Sequence, residues 1–398
     1  MLRLLRLTTA GESHGPALVC TLEGMPAGLP LRADDINADL HRRQQGYGRG
    51  RRMQIERDEI EFLSGVRAGE TLGSPIAMLI RNRDWKNWVE IMDPAPRDDD
   101  ADGPRKRSVT RPRPGHADLT GILKYDRDDA RDILERASAR ETTARVAGAA
   151  IARTLLKAFG VTIGSHLVHL GGVDAGAVAL PDDINAVADL SAVRTLDPEA
   201  EVRIIARIDA ARADGNTLGG ICEVVARGLP VGLGSHVSWD RKLDGRIGQA
   251  MLSIPAVKGV EIGIGFDAAR LTGAEVHDEI VMASGRAIAG NVRRTTNRAG
   301  GLDGGMTNGE PVMVRVAMKP IATLMKPLRT IDTTTSSSAE AVVERSDVTA
   351  VPAMGVIAEA MLALVLADAM VEKFGGDSLP EMRRNYDAYL AQVAQRLG

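Results

Sequence analysis

The chain resembles itself at a fixed spacing, and that repetition limits its fold more than any other feature. Gly11, Gly15, Gly24, Pro26, Gly28 and Leu29 return as Gly215, Gly219, Gly228, Pro230, Gly232 and Leu233 with identical separations. In each copy a glycine-framed loop leads into an alternating strand, Ala17 to Leu22 or Ile221 to Ala226, and then into a Gly-x-Pro-x-Gly-Leu turn. Glycine permits backbone angles that other residues disfavour and proline fixes its own, so the same punctuation twice implies the same local geometry twice. Two further echoes follow. Gly69-Glu-Thr-Leu-Gly-Ser-Pro-Ile-Ala-Met answers Gly304-Gly-Met-Thr-Asn-Gly-Glu-Pro-Val-Met, and two long helical patterns end in Lys157-Ala-Phe-Gly and Glu372-Lys-Phe-Gly.

Those helical patterns, at about residues 135–160 and 350–375, are apolar nearly all the way round, so both faces of each helix must be covered. Gly160 and Gly375 supply the position just past each helix, and Pro352 sits in a first turn where its missing N–H costs nothing. Two buried helical layers between strand-rich repeats predict an α+β chain: a β-α-β sandwich with pseudo-two-fold duplication and central helices. Residues 1–398 then form one domain made of two repeats, about 1–200 and 201–398. A doubly wound sheet is the competing architecture, but neither a strand followed by Gly-x-Gly-x-x-Gly nor a P-loop is present. Residues 94–108 and 325–340 lack apolar periodicity and read as surface loops.

With 44% hydrophobic but only 3% aromatic residues, the core must be built from aliphatic side chains and close backbone packing. Fifty basic and 53 acidic residues leave a net charge of −3, which argues against a surface devoted to nucleic acid or membrane. Cys20 and Cys222 lie in apolar runs and read as free buried thiols of a reducing, cytoplasmic compartment. The most apolar stretch, Ala350 to Phe374, is interrupted by Glu359 and Asp368, as suits a buried helix rather than a membrane span.

The chemistry concentrates in a few motifs. Gly11-Glu-Ser13-His14-Gly15 presents an imidazole and a hydroxyl between glycines directly after a first apolar strand at Leu2 to Leu7. Arginines cluster at Arg42 to Arg52, at Arg111-Pro-Arg113-Pro-Gly-His116-Ala-Asp118, at Glu135-Arg136-Ala-Ser138-Ala-Arg140, and at Arg345-Ser-Asp347. Glycines at 46, 48 and 50 interrupt the first cluster, so several guanidiniums can converge on one phosphate or carboxylate. Prolines 112 and 114 hold Arg113 and His116 on a stiff strut. The last two clusters stand before the two buried helices, where free N–H groups favour anions. Zinc-ligand spacing and a nucleophile elbow are both missing, which leaves an anion pocket with histidines suited to proton transfer or elimination. A non-catalytic anion-binding or RNA-binding protein is the alternative reading.

Gly-Glu-Ser-His-Gly, Gly-Tyr-Gly-Arg-Gly, Arg-Pro-Gly-His-Ala-Asp, Arg-Ala-Ser-Ala-Arg-Glu-Thr, Asn297-Arg-Ala-Gly-Gly-Leu-Asp-Gly-Gly-Met, Met318-Lys-Pro-Ile and Arg-Ser-Asp occur in this order along nearly the whole chain. Together they resemble the chorismate synthase family. The resemblance implies anti 1,4-elimination of phosphate from 5-enolpyruvylshikimate 3-phosphate, reduced FMN as cofactor, a β-α-β sandwich and a homotetramer. It implies His14, His116 and Asp347 as catalytic groups, with Ser13, Arg43, Arg49, Arg52, Arg113, Arg136 and Arg345 around the substrate. Flavin contacts are implied for Arg136, Ala137, Ser138, Pro255, Ala256, Gly304, Lys319, Pro320, Ile321, Ala322, Thr323 and Arg345. Arg43 and Arg49 match positions also given to NADP in the family, although a role in binding substrate suits their guanidiniums better. NADPH would then act only indirectly, through an external flavin reductase; neither nucleic acid nor membrane is an expected partner.

Overall fold

In the strand Ala17–Glu23 every second residue is apolar, which puts Leu18, Cys20 and Leu22 on one buried face. They register against Ile80, Met78 and Ile76 of the antiparallel strand Ile76–Arg81. The second half repeats the device: Cys222, Val224 and Ala226 pair with Val316, Val314 and Val312, all buried. One-residue slippage in either pair would turn its apolar row to the opposite face, so register is specified by burial. The structure is a computed structural model and describes residues 2–50, 57–96, 107–287, 290–343 and 347–397.

The first sheet has the order Arg6–Ala10, Ala17–Glu23, Ile76–Arg81, Ile60–Ser64. Read from Thr162–Leu170, the second has the order Thr162–Leu170, Gly220–Arg227, Val312–Met318, Val257–Ile262, with the short strand Val173–Asp174 added at its outer edge. Thr162–Leu170 thus belongs with the second sheet. The helix Thr142–Ala158 packs on the first sheet, Val351–Phe374 packs on the second, and the helices pack on each other; Ala33–Gln44 lies against both.

Two helical glycines set how closely these layers meet. A β-carbon on Gly148 would stand 2.4 Å from Leu7 Cδ1, and one on Gly355 would stand 3.0 Å from Ser165 Oγ and 3.2 Å from Cys222 Sγ. The turns also match in detail. The Thr71 hydroxyl accepts from Leu29 N–H (2.9 Å) and donates to the Pro26 carbonyl (2.6 Å). Thr307 does the same with Leu233 (2.8 Å) and Pro230 (2.6 Å).

Val351–Phe374 is the one described helix long and apolar enough to cross a membrane, yet it is buried inside the protein as a core helix. Its two mid-span carboxylates are fully satisfied. Glu359 accepts from Arg42, Arg153, Arg194, Ser165 and Asn185. Asp368 accepts from the backbone N–H groups of Arg3, Leu4 and Leu5 and pairs with Arg246. The first strand consequently begins at Arg6, later than the leucine pattern suggests, because the preceding N–H groups serve a carboxylate instead of a ladder.

Two other expectations are corrected. The first long helix is not continuous from 135: Arg131–Ala137 ends at an extended Ser138 (ψ 146°), a single tight turn Ala139–Glu141 follows, and Thr142–Ala158 then begins. The Ser138 hydroxyl accepts the Arg140 N–H, the local bond by which serine competes with a continuing helix. Residues 325–340 contain a hairpin, Arg329–Asp332 with Ser337–Glu340, and it is anchored on the proline strut by Thr330 Oγ1 to the Pro112 carbonyl (2.7 Å) and Thr333 N to the Thr110 carbonyl (2.9 Å). Most of the 94–108 loop, including Asp98 to Lys106, lies outside the described residues.

Candidate active site

The loop between the first two strands delivers His14. Gly11 has φ +106°, and a β-carbon there would be 2.4 Å from the Ala17 carbonyl, so the chain can turn here only with glycine. Ser13 is buried; its N–H donates to the Glu135 carbonyl (2.9 Å), and Ser138 Oγ lies 3.2 Å from its hydroxyl. His14 Nδ1 contacts both oxygens of the Glu135 carboxylate, at 3.0 and 2.9 Å, and the ring stacks on Trp88 at 3.7 Å. Burial favours protonation of Glu135, but hydrogen bonds and charge from His14 and Arg131 outweigh it and hold the carboxyl below its usual range.

The proline strut supplies a second histidine. His116 Nδ1 lies 2.5 Å from Asp118 Oδ1, while Arg113 donates to Asp118 through Nε (2.8 Å), Nη2 (3.1 Å) and its own backbone N–H (3.0 Å). Arg113 Nη1 reaches Thr323 Oγ1 at 2.9 Å. Asp118 is fully buried, which by itself would raise its carboxyl; the bonds from His116 and Arg113 bring it well below the usual carboxylate range.

Arginines form the floor. Arg43 is 4% exposed and donates to Thr142 Oγ1 and the Ala139 carbonyl. Among the described residues its Nη1 has no hydrogen-bond partner, and the nearby Asp58 Oδ2 stands 3.8 Å away. Burial, and after it the repulsion of Arg49 and Arg140, pushes this guanidinium down from its ordinary value against the pull of Asp58. An entering anion would relieve both the repulsion and the orphaned donor. Asp347 accepts from Gly50 N–H (2.6 Å) and pairs with Arg49 Nε (3.1 Å). It does not cap the helix behind it; the Thr349 hydroxyl takes the Val351 N–H.

These groups line one cavity of about 500 Å3: Ser13, His14, Arg43, Arg49, Arg113, His116 and Asp347 all reach it. Of the remaining expected residues, Ala137, Ser138, Pro255, Ala256, Lys319, Ile321, Ala322 and Thr323 also line it. Ala256 has φ +67°, a strained angle for alanine, at the cavity wall. Lys319 Nζ donates to the Gly115 carbonyl at 2.9 Å, and burial, then Lys258, lowers its ammonium.

Three expected residues stand apart from the cavity. Arg136 turns back along the first strand to the carbonyls of Thr9 and Gly11, Pro320 is exposed beyond the lining lysine, and Gly304 lies in a hairpin beside His236. Arg52 and Arg345 lie outside the described residues. Conversely, the sequence reading assigned no role to Trp88, Arg131, Glu135 or Asp118. The i,i+4 pair Arg131–Glu135 was visible as spacing, but its meeting with His14 depends on a contact between distant segments.

The model of the family described as Chorismate synthase matches residues 5–371. A chorismate synthase of Geobacter sulfurreducens is 56% identical over 396 residues, covering 98% of this chain and 99% of that protein. One from Symbiobacterium thermophilum is 56% identical over 395 residues, covering 98% and 100%. A solved structure described as the crystal structure of chorismate synthase superposes with a TM-score of 0.78 at 43% identity, covering 99% of this chain and all of that one.

Proposed function

This chain belongs to the chorismate synthase family, and from that premise we propose that the arginine-floored cavity is the site of its lyase reaction. The enzyme converts 5-enolpyruvylshikimate 3-phosphate to chorismate and phosphate by anti 1,4-elimination, the last step of the shikimate pathway, which supplies aromatic amino-acid biosynthesis. The observation that carries the assignment is convergence: four segments far apart in sequence bring two histidines, three guanidiniums and a carboxylate to one cavity. Because the arginines face inward around a small volume, they suit a small polyanion better than an RNA strand.

Arg43, Arg49 and Arg113 bind the substrate's carboxylates and phosphate, and Ser13 adds a polar contact. His116, oriented through Nδ1 by Asp118, presents Nε2 to the leaving phosphate as a proton donor. His14 serves the same cavity as a second donor. Asp347, held by Arg49 and Gly50, offers the proton-accepting carboxylate.

The residues present fit a reduced flavin. Ile254, Pro255, Met318, Ile321 and Met354 give the cavity an apolar lining suited to a flat ring, and Lys319 adds a cation to the same cavity. Ala137, Ser138, Ala256, Ala322 and Thr323 would complete the contacts with FMN. When bound, reduced flavin supplies electron density to the allylic system from which phosphate departs. Arg43 and Arg49, built into the cavity floor, favour substrate over NADP as their anion. Reduction by NADPH then falls to an external reductase.

The matching strand orders and the matching threonine bonds support two repeats related by a pseudo-two-fold axis within one domain. The pairing of Thr162–Leu170 within the second sheet supports a boundary nearer Gly160 than residue 200. A cytoplasmic homotetramer completes the proposal.

Phosphate release measured anaerobically with reduced FMN and substrate tests the assignment. His116→Ala and Asp347→Asn are each expected to lose about 10²–10⁴-fold in turnover while still folding and binding flavin. Near wild-type turnover in both variants would remove this cavity from the reaction.

A further inference from the structure

His14 is held by more groups than its place in a glycine loop requires. Its backbone N–H donates to Glu135 Oε2 at 2.9 Å, and its ring nitrogen Nδ1 meets the same carboxylate. Glu135 is 2% exposed and receives Arg131 Nη1 on Oε1 at 2.9 Å, one helical turn back. The face of the imidazole lies on Trp88, an interplanar angle of 23°, and the Arg131 guanidinium stands 5.3 Å from the centre of that same indole. The carboxylate, backbone, guanidinium and indole thus fix the ring in position, tilt and rotation.

An ionised carboxylate can only accept hydrogen bonds, so the nitrogen facing it must carry the proton. We propose that Glu135 is a positioning residue for the lyase reaction: it keeps the His14 proton on Nδ1 and thereby commits Nε2 to the cavity. This rests on the reading that His14 acts in the site. With Nδ1–H fixed, Nε2 accepts a proton when the ring is neutral and donates one when the ring is charged, and the other nitrogen never competes. Arg131 keeps the carboxylate turned toward the ring, and Trp88 prevents the ring from flipping. In an enzyme with a buried carboxylate behind its histidine, exchanging that carboxylate for an amide leaves geometry in place but permits the wrong tautomer, at a cost of about 10⁴ in turnover.

The test combines ring ¹⁵N shifts with kinetics on the full-length protein. In protein labelled at histidine, with the His14 signals assigned by their loss in His14→Asn, the wild type is expected to show Nδ1 protonated and Nε2 as the second site. In Glu135→Gln the amide can donate to Nδ1, the proton is expected to move to Nε2, and kcat should fall by 10²-fold or more with KM for substrate changed less than about threefold. Glu135→Asp, which keeps the charge, should restore the Nδ1 signature. A wild-type neutral ring protonated on Nε2 would overturn the proposal without any variant having to fold. Glu135→Gln with unaltered tautomer and turnover would overturn it too. If His14→Asn itself keeps full turnover, the reading of His14 as a participant fails, while the ¹⁵N signature still decides whether Glu135 sets the tautomer.

Discussion

Gly11-Glu-Ser-His-Gly and Gly215-Asn-Thr-Leu-Gly occupy like places in the two halves, yet one loop reaches the reaction cavity with an imidazole and the other ends in a buried leucine. Both run into the second strand of their sheet and both bond to the segment before their own long helix. Ser13 N–H reaches the Glu135 carbonyl at 2.9 Å, and Leu218 N–H reaches the Val348 carbonyl at 2.8 Å. The two loops thus make similar backbone bonds but present different side chains. In the first copy the loop meets a carboxylate that can hold a titratable ring; in the second the same spot is filled by Leu218 and by Thr217, whose hydroxyl donates to the Ile321 carbonyl.

The sharpest way to break this contrast is to make the first loop like the second. His14→Leu is expected to fold and to lose about 10²–10⁴-fold in phosphate release. Leu218→Ala should keep most turnover in what remains folded and lose about 2–5 kcal/mol in a denaturant titration. Equal losses of turnover from both changes would mean that the loops share a role.

Next in size is Glu359, a charge carried inside the second long helix. Burial would raise its carboxyl, but Arg42, Arg153 and Arg194 hold it well below the usual range. A carboxyl depressed by folding stabilises above its unfolded value of about 4.3, and the gain is lost as pH falls toward the folded value. Glu359→Gln leaves three guanidiniums short of a counter-charge and is expected to cost about 3–5 kcal/mol near neutrality. Stability measured against pH should fall less steeply below about pH 4 in the variant than in the wild type. Parallel curves would show that the ion cluster contributes nothing to acid sensitivity.

The smallest effect sharpens the likeness of the halves. Thr71→Val and Thr307→Val each remove a hydroxyl that both accepts and donates in a buried turn, so each should cost about 1–3 kcal/mol. The costs should agree within experimental error, and the double variant should show their sum. A clear inequality in the melting curves would mean that equal hydrogen bonds sit on unequal scaffolds.

Much of the site was legible because its residues lie in short motifs whose chemistry is local. Arg113 and His116 share a strut, and the glycines around Arg49 advertise an irregular loop. The unbroken apolar run at about 350–375 likewise revealed the long helix Val351–Phe374. The errors arise where distant groups decide. Arg136 belongs to the right motif but finds three oxygens at Thr9 and Gly11, and no spacing rule tells which way a helical arginine turns. The break at Ser138 depends on one side-chain bond, and the hairpin at 329–340 depends on anchoring to residues 110–112. Trp88 gained its meaning only when folding laid it against His14.

The clasp of Asp368 around the N–H groups of residues 3–5 links positions 363 to 365 residues apart. During synthesis the start of the chain is made long before the carboxylate that receives it. The partner of those three N–H groups therefore arrives only after 363 to 365 further residues have been made. Closure of the molecule is in this sense a late event, and a nascent chain stopped before Val351–Phe374 would expose the apolar face of the second sheet and the side of Thr142–Ala158 that this helix covers, while residues 3–5 waited unpaired.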